Sequence, residues 1–313
     1  MNVVIRPTPR VLAALYGTPW AIDAGKLEQV AAFLDRYTEG LRMTLEELQA
    51  AGFAPRAESG DGASVGGTAT IAVIPIVGTI VQRAASVANA SGGGLVSMER
   101  TAQNFRAALN DPRVDAIVLD IDSPGGTITG VMELADEIYA ARGRKAIVAV
   151  ANAYAASAAY WLGSAAGEFV AIPSGEVGSI GVFALHKDIS ASEQSQGIKT
   201  SLISAGKYKT AGNPWEPLSE DARTLMQGRV DEAYRRFVKT VARNRGTTED
   251  AVRNGYGEGS IVSADQAKRE GMIDRVATLE ETLARLASSQ SRAAVRNKNR
   301  ERALALASLQ QCI

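Results

Sequence analysis

Three residue types in this chain can act on a carbonyl carbon: a serine set among small residues, a pair of lysines and a single histidine. The serine is Ser157, within Ala153–Ala166 (AYAASAAYWLGSAA), flanked by Ala155, Ala156, Ala158 and Ala159. Alanines on both sides let a substrate backbone come close, as a nucleophile requires. The upstream run Ala146–Asn152 (AIVAVAN) is apolar and of strand length, and a helix can start at Ala158, so Ser157 is expected at a strand-to-helix turn. The first N–H groups of a helix lack intrahelical acceptors and carry the positive dipole end, both suited to an oxyanion. The plainer reading, one small residue in a tight helix–sheet contact, stands beside it.

A serine nucleophile needs a base. His186, the one histidine, follows the apolar run Ile180–Leu185, and a Ser-His-Asp triad would have to use it. The alternative is a lysine. Lys207 and Lys209 lie in ISAGKYKT (residues 203–210) and would share one face of an extended strand. A lysine must be largely uncharged to take a serine proton near neutral pH, a condition that burial in an apolar site meets. Lys209, beside Tyr208, is expected to be buried; Lys207, nearer the Gly206 turn, is expected to stay solvated and charged. A third element is the turn Ser123-Pro124-Gly125-Gly126, where paired glycines let backbone approach a ligand without a Cβ in the way. It has neither the Walker lysine pattern nor dinucleotide-loop spacing.

These residues need a scaffold, and the chain supplies alternating strands and helices. Ile71–Val77 (IAVIPIV) reads as a buried strand before a turn at Gly78, and Ser86–Gly94 as a mobile loop. A helix follows over about Ser97–Asn110, then the strand Ala116–Ile121 (AIVLDI), the turn Asp122–Gly126 and a helix over about Thr129–Arg142. That alternation predicts an α/β domain. Ahead of it, residues 1–68 read as a helical lead-in and linker: Leu27, Val30, Ala31 and Leu34 keep helical spacing, Thr44 and Glu47 form a capping box, and Pro55–Thr68 is linker-like. Residues 69–276 form the main domain, and 277–313 a helical tail, basic between Arg292 and Arg302.

Composition narrows the function. The 313 residues carry 34 Lys+Arg against 34 Asp+Glu, so no polyanion partner and no specific nucleic acid is implied. The single cysteine, Cys312, excludes internal disulfides and cysteine metal clusters and fits a reducing compartment. Arginines and prolines interrupt the N-terminus where a signal peptide needs an apolar core, so a cytoplasmic protein is expected. Ala146–Gly167 has no charged residue and is long enough to cross a bilayer, but its Ala, Gly and Ser content and its division around Ser157 predict a buried soluble core, not a membrane span.

Four motifs, Ile71–Gly78, Asp122–Gly126, Ala155–Tyr160 with the downstream Gly178-Ser179-Ile180-Gly181, and Gly206–Lys209, occur in the order in which they resemble the signal peptide peptidase A (SppA) type of serine peptidase, in the Clp protease/crotonase superfamily. The resemblance covers about residues 69–276. It implies a Clp/crotonase-like fold of repeated ββα units, Ser157 as nucleophile, Lys209 as general base and Ser179 as the hydroxyl that holds the lysine. It also implies the backbone N–H groups of Gly126 and Ala158 as oxyanion donors, with no cofactor and no metal. Ala158-Ala159 replaces the usual glycine pair after the nucleophile, which narrows the backbone space beside the serine. Without a membrane anchor, the chain is most similar to phage head maturation (prohead) proteases, which trim scaffold and other capsid components and assemble as homo-oligomers. The alternatives are a soluble SppA-like peptidase of signal or cellular peptides, a non-catalytic capsid assembly protein, and a crotonase-like acyl-CoA enzyme, which would not need the serine.

Overall fold

Three apolar runs, two of them with consecutive buried residues, build the central sheet. A computed structural model describes residues 19–22, 70–83 and 94–289. Strands β1 (Trp20–Ile22), β2 (Ile71–Val77), β3 (Thr79–Val81) and β4 (Leu95–Ser97) precede helix α1 (Met98–Asn110). Then come β5 (Ala116–Ser123), β6 (Gly125–Thr127) and α2 (Val131–Ala140), and β7 (Ala146–Ala156) runs into α3 (Ala158–Ser164). Strands β8 (Glu168–Ala171) and β9 (Glu176–Gly178) follow, and a largely irregular stretch holding α4 (Ser190–Ser195) leads to the long helix α5 (Glu220–Arg245). The chain continues through α6 (Glu249–Asn254), β10 (Ile261–Ser263), α7 (Ala264–Arg269) and β11 (Arg275–Val276) to helical residues 279–289.

Strands β2, β5 and β7 pair in parallel, and their neighbours extend the sheet to seven strands in the order β10-β9-β7-β5-β2, with β8 on β7 and β11 on β8. Parallel neighbours need a crossover, and α1 and α2 provide it. The unit β5-β6-α2 has the expected ββα plan, and β2-β3-β4-α1 has the same plan with one added strand. Along β5, Ile117, Leu119 and Ile121 enter the larger core with α1, α2, α3 and α5, while Ala116 and Val118 face the opposite side. There Leu279, Leu283, Leu286 and Ala287 of the last helix cover Val148, Val150 and Val170. Each fully buried large side chain contributes about 1.5–3 kcal/mol, so both faces have to be covered.

Helix α1 is capped by the Ser97 hydroxyl, which accepts from the Arg100 amide, and it buries Met98, Thr101, Ala102, Phe105, Ala108 and Leu109 at helical spacing. The charge-free run 146–167 is a strand and a helix divided at Ser157, as its composition predicts; among the described residues no helix is long and apolar enough to cross a membrane.

Three local expectations are corrected. The stretch Asp122–Gly126 is not a plain turn: β5 runs to Ser123, Pro124 interrupts it, and Gly125–Thr127 forms a strand of a second, four-stranded sheet ordered β1-β6-β3-β4. Proline has no N–H for the ladder, and the glycines permit close backbone contact, since a Cβ on Gly126 would lie 1.9 Å from the Ile80 carbonyl oxygen. Residues 20–22, read as part of the helical lead-in, form a strand because an aromatic and a β-branched residue after Pro19 pair with β6. Lys207 and Lys209 do not share a strand face: residues 205–212 are turns, closed by Lys209 N–H to Gly206 O (3.1 Å) and Ala211 N–H to Tyr208 O (3.3 Å). The positions Leu27–Leu34, Thr44, Glu47, Pro55–Thr68 and Arg292–Arg302, and the loop from Ser86 up to Gly94, lie outside the described residues.

Candidate active site

Ser157 joins β7 to α3 with φ 55° and ψ −117°, a backbone conformation costly for a residue with a Cβ. Such strain, of order 1–3 kcal/mol, persists only where neighbours hold it, and it clusters at functional sites. Here the holding groups are backbone. The Ser157 amide donates to Gly178 O at 2.7 Å, and its carbonyl accepts the Trp161 amide at 2.9 Å in the first turn of α3. Its hydroxyl reaches Gly181 O at 3.4 Å, a long contact, and the residue is fully buried. Both ends of the Gly178–Gly181 motif thus touch the serine. Ser179 between them is also at positive φ (52°), with its amide donating to Ser260 O at 2.7 Å.

The glycine pair meets the serine from the other side. Gly125, at φ 93°, is packed so closely that a Cβ on it would lie 2.3 Å from Ala21 O, 2.9 Å from Ala156 O and 3.0 Å from the Ala158 nitrogen. Ala158 is the first residue of α3, so its N–H has no acceptor within the helix. Ser123 supports this corner, its hydroxyl donating to Gly78 O (2.6 Å) and accepting from the Gly125 amide (3.2 Å). Sequence reasoning singled out the Gly126 amide from the pair; the Cβ position of Gly125 is the one facing the Ala158 nitrogen, and that of Gly126 faces the Ile80 backbone. The double glycine was the available signal, but only the sheet order tells the two apart.

Helix α3 is anchored from behind. Trp161 stacks on Phe237 of α5 at 4.4 Å, and Arg142 donates to the carbonyls of Ser164, Ala165 and Asn244 at 2.9–3.0 Å. Burial of Arg142 lowers its guanidinium pKa from the ordinary value. Farther back, Tyr160 donates to Met272 O, and burial pushes its phenol well above the usual range.

The candidate bases lie apart from this arrangement. Lys209, expected to be buried, is exposed on its turn segment, and among the described residues no hydrogen bond or ion pair links its ammonium to Ser157. Lys207 is exposed as expected, 3.1 Å from Asp221 and 4.8 Å from the Tyr208 ring centre, and hydrogen bonds with Tyr208 and then Asp221 raise its pKa. His186 bonds through Nε2 to Asn213 O at 2.9 Å in a pocket of about 210 Å³ shared with Lys207, Glu216 and Asp221; Ser157 does not line it. The five exposed large apolar side chains among the described residues, Ile198, Leu202, Ile203, Tyr208 and Trp215, all fall in this region around Lys209.

The serine's strand, its helix and the Gly178–Gly181 motif all fall within residues 140–293, which match the model of peptidase family S49. Over 206 residues the chain is 33% identical to the capsid assembly protease C of Escherichia phage lambda, covering 66% of this chain and 46% of that protein. Over 219 residues it is 32% identical to the head-tail preconnector protein GP5 of Enterobacteria phage P21, covering 70% and 43%. It is also 31% identical to Protease 4 of Salmonella typhi over 226 residues, covering 72% and 35%. The chain therefore spans less than half the length of each of these relatives.

Proposed function

We propose that this chain is a serine endopeptidase working through a Ser157/Lys209 dyad on phage scaffold or other capsid components during head maturation. The observation that carries the reading is the strained Ser157, held by Gly178 at the strand-to-helix turn and facing an amide with no helical acceptor. In this mechanism uncharged Lys209 takes the Ser157 Oγ proton as Oγ adds to the scissile carbonyl. The N–H groups of Ala158 and Gly126 receive the oxyanion. The ammonium returns its proton to the leaving amine as the C–N bond breaks, and water then hydrolyses the acyl-enzyme by the same path. Ser179 orients the lysine.

Lys209 is exposed in the single chain, among apolar side chains that water does not favour. This supports a homo-oligomer in which the segment carrying Lys209 packs onto a neighbour and completes its site. Similarity to two phage head proteins supports capsid substrates, with the work done in the host cytoplasm or inside the procapsid. Similarity to Protease 4 supports a second reading, peptidase action on signal or other cellular peptides. Incubation of wild type and Ser157→Ala with capsid scaffold and, separately, with signal peptides decides between them. Scaffold cleavage by wild type alone is expected; equal cleavage by both proteins would falsify the serine mechanism.

A further inference from the structure

Strand β1 consists of three residues, yet it is among the best-enclosed backbone in the molecule: Trp20, Ala21 and Ile22 are each at most 5% exposed. One edge runs antiparallel to β6, with Trp20 opposite Thr127, Ala21 opposite Gly126 and Ile22 opposite Gly125. The other edge is met by Phe183, two residues past the Gly178–Gly181 motif, through Trp20 N–H to Phe183 O (2.7 Å) and Phe183 N–H to Trp20 O (3.0 Å). A single extended strand thus lies between the glycine strand and the segment that touches Ser157.

Without β1, β6 and Phe183 would present backbone donors and acceptors across a slot one strand wide, the arrangement that takes up an extended peptide by strand addition. The position of Ala21 adds a second observation. Its carbonyl oxygen and the Ala158 nitrogen both border Gly125, 2.3 Å and 3.0 Å from where a Cβ would stand. A main-chain carbonyl of β1 and the amide assigned to the oxyanion thus both border the Gly125 Cα, while Ser157 is closed to solvent.

We propose that Trp20–Ile22 is an intrachain occupant of the peptide groove, which an extended substrate replaces by pairing with Gly125–Thr127 and Phe183. This regulation rests on the peptidase reading of Ser157. The occupant's own order, an aromatic, a small and a branched aliphatic residue, describes the uncharged peptide class the groove takes. Because the occupant belongs to the same chain, its pairing is intramolecular, and loosely binding peptides are excluded.

The test uses the full chain, a fluorescent peptide of sequence TPWAID (residues 18–23) and a fluorophosphonate probe for Ser157. Trp20→Ala is expected to bind the peptide about tenfold or more tightly than wild type and to be labelled about tenfold or more faster, with unlabelled peptide slowing the labelling. Should Trp20→Ala fail to fold, Trp20→Phe is compared in the same way. If wild type is labelled and either ratio stays near one, β1 is a structural strand and the proposal is overturned. Equal peptide affinity overturns it with or without labelling. Tighter peptide binding by the variant with no labelling of either protein upholds the groove occupant and rejects the serine chemistry instead.

Discussion

The amide of Ser157 donates to the carbonyl of Gly178 at 2.7 Å, a bond between residues 21 positions apart that fixes the nucleophile candidate in its positive-φ conformation. Gly178 is itself at φ 122°, and a Cβ there would lie 2.7 Å from Ser260 O. Gly178→Ala is therefore expected to displace the carbonyl and slow fluorophosphonate labelling of Ser157 by about tenfold or more, since small misplacements of a reacting group are costly. Labelling at the wild-type rate in a folded Gly178→Ala protein would remove this bond from the mechanism.

Lys209→Ala should reduce acylation by about 10²–10⁴-fold, the usual worth of a positioned base, while Lys207→Ala and His186→Ala remain close to wild type. Labelling rates of the three variants across pH 6 to 10 check this; a dead His186→Ala beside an active Lys209→Ala would point to a histidine mechanism.

Mixing separately inactive Ser157→Ala and Lys209→Ala proteins should restore cleavage if the dyad is completed between copies, because some sites then pair an intact serine with an intact lysine. Ile203→Asp, at a fully exposed apolar position, should weaken the assembly in sedimentation and reduce activity with it. An active monomer at assay concentration rules out both.

Gly126→Ala should destabilise the fold by about 1–3 kcal/mol, because its methyl group meets Ile80 backbone rather than a flexible side chain. Turnover should also fall, by about 10²–10³-fold if the Gly126 amide is an oxyanion donor. Thermal melts alongside turnover separate the two effects: unchanged turnover in the folded fraction dismisses the donor role.

Burial alone would raise the Asp274 carboxyl, but bidentate contact with Arg245 (2.8 and 2.9 Å) and the Phe169 amide (2.7 Å) hold it below its ordinary value. A carboxylate depressed in the folded state stabilises the protein above its unfolded pKa, near 3.8, and that contribution disappears as pH falls through the lower folded value. Asp274→Asn should lower stability by about 1–3 kcal/mol at neutral pH, discounted for partial exposure, and flatten the loss of stability below pH 4. Denaturant melts from pH 7 to pH 2 measure both.

The strands were legible because Ile71–Val77, Ala116–Ile121 and Ala146–Asn152 are apolar runs of strand length, and Ser157 because alanine surrounds it where such a run ends. The division of Ala146–Gly167 into strand and helix follows from the same local pattern. What each glycine packs against was not legible, since β1 and β3 reach β6 from distant parts of the sequence. Three residues beginning at Trp20 are too few to show a period, so β1 stayed within a helical reading. Lys209 exposes the limit most plainly: adjacency to Tyr208 in the sequence says nothing about burial.

The helix over residues 279–289 also determines where this protein can be cut. Its leucines close a sheet face made of Ile71, Val118, Val148, Val150 and Val170. A truncation at residue 276, just after the last strand, would leave that face open to water as one apolar patch, and the product should precipitate on expression. A fragment that keeps this face covered therefore has to retain Leu279, Leu283, Leu286 and Ala287.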